Sequence, residues 1–230
     1  MDNYQKNQEF SKGTISPMDA FSWIEKGFFQ HLESNKLTTK EQMQTFTDKY
    51  KMKFAENEVK VKHLIKNELD KGNVFFTLIA VAAYDTFLEL GISKEEAILL
   101  TDECINKPSR SYIIEGTRKM LDYSSNPYQS LVEASKEREQ YFFGESFEFD
   151  RQIDNEYGYV LHVKKCLFHL VLKELKRQEL QHSLCRMDLG WINGINPEKH
   201  NLQFVRPITF STGNTCQMWF MKKEKELIKD

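Results

Sequence analysis

Residues 144–161 read GESFEFDRQIDNEYGYVL, and within them the spacing of apolar side chains changes. Phe147, Phe149 and Ile153 alternate with polar residues, Asp154-Asn155-Glu156 interrupts, and Tyr157, Tyr159 and Leu161 take up the alternation again. A period of two lets one face of a strand be buried while the other stays wet. Two such runs around a short polar break predict an antiparallel hairpin.

Upstream of Gly144 the period is helical. Ser16-Pro17 opens the first helix, because Ser accepts bonds from free backbone amides and Pro suits the first helical position. Phe21, Ile24, Phe28, Phe29 and Leu32 then form one apolar face. Thr38-Thr39 opens a second pattern reaching Leu69, about 30 residues, long enough that a break is expected. Gly72-Asn73 reads as a separator before an apolar helix over 74–90, closed by Gly91. Ser93-Lys94-Glu95-Glu96 has the form of a capping box, and Pro108 reads as the end of that helix. Further helices are expected over 109–123 and from Asn126-Pro127 to about Phe143.

Downstream of the hairpin, helical spacing returns over 164–177 and again over 179–191. Two strands are expected near 202–210 and 215–220, joined by a turn at 211–214. The pattern predicts an α+β fold in which a helical N-terminal layer, 1–143, packs on a small antiparallel sheet with two C-terminal helices, 144–230. Gly144 marks the junction between these parts of one integrated domain.

Forty per cent of the 230 residues are hydrophobic and only five are proline, which is the composition of a chain with a real core. The 32 basic and 34 acidic residues nearly cancel, so there is no broad attraction to phosphate backbones or anionic membranes, and no nucleic-acid partner is expected. The longest apolar stretch, VFFTLIAVAAY at 74–84, is shorter than the roughly 20 residues that span a bilayer. With a polar N-terminal stretch and four widely spaced cysteines, the expectation is a cytoplasmic chain with reduced thiols and no membrane partner.

The candidate chemistry lies in the last third. His182, Cys185 and Asp188 recur at intervals of three, so on a helix they drift slowly around one side, with a thiol between an imidazole and a carboxylate. A nearby imidazolium favours a reactive thiolate, whereas the bland reading is a small buried hydrophobe. Cys166 and His169 repeat the spacing. No pair of cysteines is two to four residues apart, so no metal is expected, and with no Gly-rich phosphate loop or dinucleotide fingerprint no cofactor is expected either. Arg206, within NLQFVRPITF, would be costly to bury without an anion. It either forks onto a substrate carboxylate or forms a structural ion pair with Asp188 or Glu174. Cys216 opens the alternating run CQMWF and shares a face with Met218 and Phe220. Asp85, in the apolar helix, needs a partner.

From Tyr159 to Phe220 the chain carries Cys166, Glu179-Leu180, Cys185 followed by Asp188, then Arg206, Gly213 and Cys216, in that order. This string resembles the C-terminal part of the L-2-amino-thiazoline-4-carboxylic acid hydrolase family. The resemblance implies a hydrolase of a small carboxylate-bearing heterocycle or cyclic amidine. Water would add at C2 of the ring, and ring C–N hydrolysis would give N-carbamoyl-cysteine. In that reading Cys185, Asp188 and Cys166 are catalytic, and Arg206, Cys216, His182 and His169 surround the substrate. Either Cys185 or Cys166 attacks the ring, or Asp188 activates water while the thiols shape the pocket. Two departures stand out: Lys176-Arg177-Gln178 precedes Glu179-Leu180 where the family commonly has Gly, and Cys216-Gln217-Met218 replaces a frequent Cys-Asp-Phe. The alternative from another class is a non-catalytic small-molecule-binding or accessory protein using the same residues.

Overall fold

Five side chains start the five long helices. In the computed structural model, which describes residues 14–37, 39–187 and 190–223, these are α1 (Pro17–Asn35), α2 (Lys40–Val61), α3 (Glu68–Glu89), α4 (Lys94–Asp122) and α5 (Pro127–Tyr141). Ser16, Thr39, Asn67, Ser93 and Asn126 each accept a hydrogen bond from a first-turn amide that the helix itself leaves unpaired. Each such cap is worth about 1 kcal/mol.

Two sequence expectations fail for the same reason, the approach of α1. Gly72 and Asn73 do not separate helices; they lie inside α3, which is capped earlier by Asn67. Gly72 is small because α1 crosses there, and a Cβ at this position would come within 2.5 Å of the Pro17 Cβ. Pro108 does not end a helix either, since α4 runs through it. Its ring faces Gly27 of α1, whose added Cβ would sit 3.2 Å away, and Cys104, Ile105 and Ile113 on either side of it are buried. That packing outweighs the roughly 3 kcal/mol a mid-helix proline costs. The expected break after α2 falls at a 3-10 turn, Lys62–Leu64.

The hairpin forms as expected from β1 (Glu148–Asp154) and β2 (Gly158–Lys165). With β3 (Leu202–Val205) and β4 (Cys216–Lys222) it makes a four-stranded antiparallel sheet of order β1-β2-β4-β3. The strand expected over 202–210 stops at Val205. Pro207 has no N–H to continue the ladder, so Arg206 is the point at which the chain leaves the sheet. Between β2 and β3 lie α6 (Leu167–Glu174), α7 (Gln181–Met187) and the one-turn α8 (Pro197–His200), with 3-10 turns at Gln178–Leu180 and Gly190–Gly194.

One face of the sheet is buried: Tyr159, Leu161 and Val163 of β2 beside Cys216, Met218 and Phe220 of β4. It packs into a cluster with Leu78, Ile113, Tyr128, Leu131 and Trp191. A second cluster joins Phe28, Phe46, Tyr50 and Phe87 to Leu172, Leu180 and Leu184. Helix α3 supplies both clusters, which is why its sequence is apolar nearly all round. Among the described residues no helix is long and apolar enough to cross a membrane.

The passage from helices to sheet is pinned on the first turn of α3. Asp70 is fully buried, and its carboxylate accepts from the Ser146 amide (3.2 Å), the Ser146 hydroxyl (2.9 Å) and the Lys66 amide (3.2 Å). Gly144 lies flat against it: a Cβ would stand 2.1 Å from Asp70 Oδ1 and 2.8 Å from its backbone nitrogen. Gly144→Ala should therefore cost about 1–3 kcal/mol through overpacking. Asp70→Ala should cost at least as much by stranding buried donors. Urea denaturation of both variants checks this, and a midpoint unchanged in either shows that the junction is not under this constraint.

Candidate active site

Antiparallel pairing sets Val163 of β2 opposite Cys216 of β4. The chain therefore leaves β2 beside the start of β4, and Cys166, the residue capping α6, comes next to it. Helix α7 brings Gln181 and Cys185, one turn apart, to the same place. Arg206 enters from the end of β3. Arg138 and Glu139 come from the last turn of α5. These groups line a cavity of about 710 Å³, counting the part open to solvent. Its remaining wall is strongly aromatic, with Phe143, Phe147, Phe149, Phe168, Trp191, Phe210 and Phe220.

Arg206 links the Cys216 thiol to the backbone of Cys185. Its Nε donates to Cys216 Sγ at 3.1 Å, and Nη1 donates to the Cys185 carbonyl oxygen at 3.0 Å. Cys185 Sγ in turn accepts from Gln181 Nε2 at 3.3 Å. The buried Gln181 amide is oriented by His169, whose Nδ1 lies 2.9 Å from Gln181 Oε1 and whose ring packs on Phe210. His169 thus reaches the thiols through Gln181. Its Nδ1 must be the protonated nitrogen if Gln181 is to keep an N–H for the sulfur.

Cys166 differs from its neighbours. It is half-buried in the cavity wall, and desolvation there pushes its thiol from an ordinary 9.0 up to about 12, with amides of the following helix pulling the other way. Cys104, far from the cavity in α4, is pushed up to about 12 for the same reason, with Glu103 adding to the effect.

The carboxylate of Glu139 is already occupied. Arg151 donates to it from Nε (3.0 Å) and Nη2 (2.8 Å), Tyr159 donates a short hydrogen bond from its hydroxyl, and Ser135 lies 3.4 Å away. Burial first, then this carboxylate, holds the Tyr159 phenol protonated well above its usual range. Glu139 is a buried part of the wall whose carboxylate already has donors on both oxygens.

Of the residues singled out in the sequence, Cys166, Cys185, Arg206 and Cys216 line the cavity, and His169 stands behind Gln181. His182 is exposed on α7 and is not part of the lining. Asp188 lies outside the described residues. Asp85, also noted in the sequence, is tied to Arg177 at 2.7 Å and to Asn57 at 3.2 Å. Among the described residues no three His, Cys, Asp or Glu side chains are grouped to hold a metal ion. Gln181, Arg138 and Glu139 escaped the sequence reading. The available signals were positional: Gln181 is one helical turn before Cys185, and Glu139 continues the buried stripe of Leu131, Val132 and Ser135.

The chain belongs to the L-2-amino-thiazoline-4-carboxylic acid hydrolase family: the family model of that description matches residues 72–220, nearly two thirds of the chain. No curated protein and no solved structure matches it. The family match runs from α3 to β4 and so takes in every element that lines the cavity.

Because only the thiolate is nucleophilic, a rise from 9.0 to about 12 leaves roughly a thousandfold less reactive Cys166 at pH 8 than an unhindered thiol would offer. Iodoacetamide labelling followed by peptide mass spectrometry should find Cys166 and Cys104 protected until the chain is unfolded. Both thiols ionise more readily in the unfolded chain. Their contribution to stability is therefore complete below pH 9 and declines as pH rises toward 12. Cys166→Ala should flatten that alkaline loss in urea titrations, and an unaltered profile would contradict the buried neutral thiol.

Proposed function

We propose that this cavity hydrolyses a small, carboxylate-bearing cyclic amidine of the 2-amino-thiazoline-4-carboxylate type, with a wall thiol as the nucleophile. The observation that carries the reading is the placement of Arg206 against Cys216 Sγ and the Cys185 carbonyl in one cavity. A guanidinium donating to sulfur favours negative charge there, which a thiol needs before it can attack. Cys216 is the nucleophile this supports best. Cys185, with only a neutral amide donor on its sulfur, is second. Cys166, held neutral by burial, serves as wall.

Cys216 sulfur adds to C2 of the ring, and the electron pair of the C=N bond moves to the ring nitrogen, which takes a proton. Collapse of the tetrahedral centre breaks the C2–S bond of the ring, the substrate sulfur leaving with the electron pair and taking a proton, and leaves C2 on the enzyme sulfur as an isothiourea. Water adds to C2, and the Cys216 thiolate departs with the pair from the C–S bond. Counting bonds corrects the expectation of C–N cleavage. N-carbamoyl-cysteine keeps both nitrogens on C2, so the ring bond that opens to give it is C2–S; cleavage of C2–N would give S-carbamoyl-cysteine. Asp188 retains its proposed role as the base for the attacking water. Arg138, at the cavity wall, and Arg206 are the cations to which the substrate carboxylate can fork. Gln181 and His169 position the Cys185 side of the pocket.

Turnover of L-2-amino-thiazoline-4-carboxylate by the purified chain, with product identification by mass spectrometry, tests this. Cys216→Ala should abolish turnover. Arg206→Ala should lower kcat by about 100-fold to 1,000-fold, the loss typical when a donor to developing charge is removed. Retention of full activity in Cys216→Ala and in Cys185→Ala would eliminate the thiol mechanism. A thermal-shift response to the same compound without turnover would favour the binding-protein alternative.

A further inference from the structure

Beside the thiol-bearing cavity lies a second hollow of about 630 Å³, counting the part open to solvent, lined by Ile15, Ala20, Ile24, Phe76 and Met187 on its far side. The two hollows share a wall made of Arg138, Phe143, Phe168, Leu184 and Trp191, which line both. Phe168 spans the division. Its ring meets Phe147, in the lining of the first chamber, at 5.3 Å, and Phe76, in that of the second, at 5.8 Å. The Arg138 guanidinium lies 5.9 Å over the Trp191 ring. The partition thus contains side chains that can change rotamer.

A thiazoline carboxylate is small and polar. It needs neither seven aromatic side chains around its own chamber nor an apolar chamber beside it. Apolar walls gain when they exclude water from apolar surface on a ligand, and binding sites for larger molecules combine such walls with a few polar groups at one end. Here the polar groups, Arg206 and the thiols, stand at one end, and Ala20, Ile24 and Phe76 lie at the other.

We propose that the preferred substrate is a carboxylate-bearing cyclic amidine carrying an aromatic or branched apolar substituent, rather than the bare ring. The substituent passes Phe143, Phe168 and Trp191 into the second chamber while the ring stays against the thiols. This rests on the reading of the first cavity as the reaction site.

The test uses two measurements. Calorimetric binding of 2-amino-thiazole-4-carboxylate, an aromatic ring that is not opened, is compared with that of its 5-phenyl and 5-isobutyl derivatives. Turnover of the matching 2-amino-thiazoline-4-carboxylates, bare, 5-phenyl and 5-isobutyl, is measured in parallel. The substituted compounds should bind at least about tenfold more tightly, within the range an apolar pocket gives for added apolar groups. Met187→Trp, at a half-buried position facing only the second of these chambers, should erase that advantage and leave the bare ring's affinity unchanged. Ala20→Leu fills the same chamber from α1 and repeats the test if Met187→Trp does not fold. Equal or weaker binding of the substituted rings, or an advantage that survives both fillings, overturns the proposal. Preferential binding of the substituted rings without turnover of any thiazoline upholds the occupancy of both chambers, overturns the claim that these compounds are substrates, and sinks the hydrolase reading. Turnover of the bare ring with rejection of the substituted ones does the reverse.

Discussion

A strand's side chains alternate, and in β4 that rule binds the fold to the site. Met218 and Phe220 must face the helices, because the sheet has its apolar core on that side only, so Cys216 faces the same way. A slip of one residue would move the thiol to the outer face and bring Gln217 and Trp219 inward. Pairing with β2 adds a second consequence. Val163 opposite Cys216 fixes where β2 ends, and from there the chain can only enter α6 with Cys166 beside the cavity. The burial that stabilises the sheet therefore also sets the positions of two of its thiols.

Two carboxylates in this apolar setting have their bonding capacity used up. Glu139 has donors on both oxygens from Arg151 and Tyr159. Removing one of these donors leaves the buried Glu139 carboxylate under-satisfied, and because Arg151 is itself exposed the cost is that of a lost hydrogen bond to a buried acceptor, about 1–3 kcal/mol. Asp70 is likewise saturated, and its partners join α3 to the entry of β1. Both carboxylates are structural by this argument. Arg206 directs donors at a sulfur and a carbonyl that line the cavity, so its charge is delivered to the thiol side of the site.

Legibility in the sequence followed the range of the interaction. Ser16, Thr39, Ser93 and Asn126 act on amides three residues away, and each marked a helix start correctly. The hairpin at 148–165 was equally plain, since a period of two and a polar break are local signals. Gly72 and Pro108 misled because their ordinary local meaning, to end a helix, is overruled by α1 lying against both. Nothing within several residues of either position records that crossing. The strand that stops at Val205 shows the reverse: Pro207 was visible, and its missing donor is enough to end the pairing.

By itself the sequence determined the helical period up to Phe143, the alternation after Gly144, the side of β4 on which Cys216 lies, and an order of Cys, Arg and Asp residues that pointed to one hydrolase family. All of these depend on neighbours along the chain or on order alone. Only the tertiary structure decided that Cys166, Cys185, Cys216 and Arg206 line one cavity, that His182 faces outward, and that Gln181 stands between His169 and a thiol. It also decided that one thiol in that cavity is held neutral while another receives a guanidinium. Desolvation and charge depend on everything that surrounds an atom. Those surroundings come from α5, α6, α7, β3 and β4, which meet only after the chain has folded.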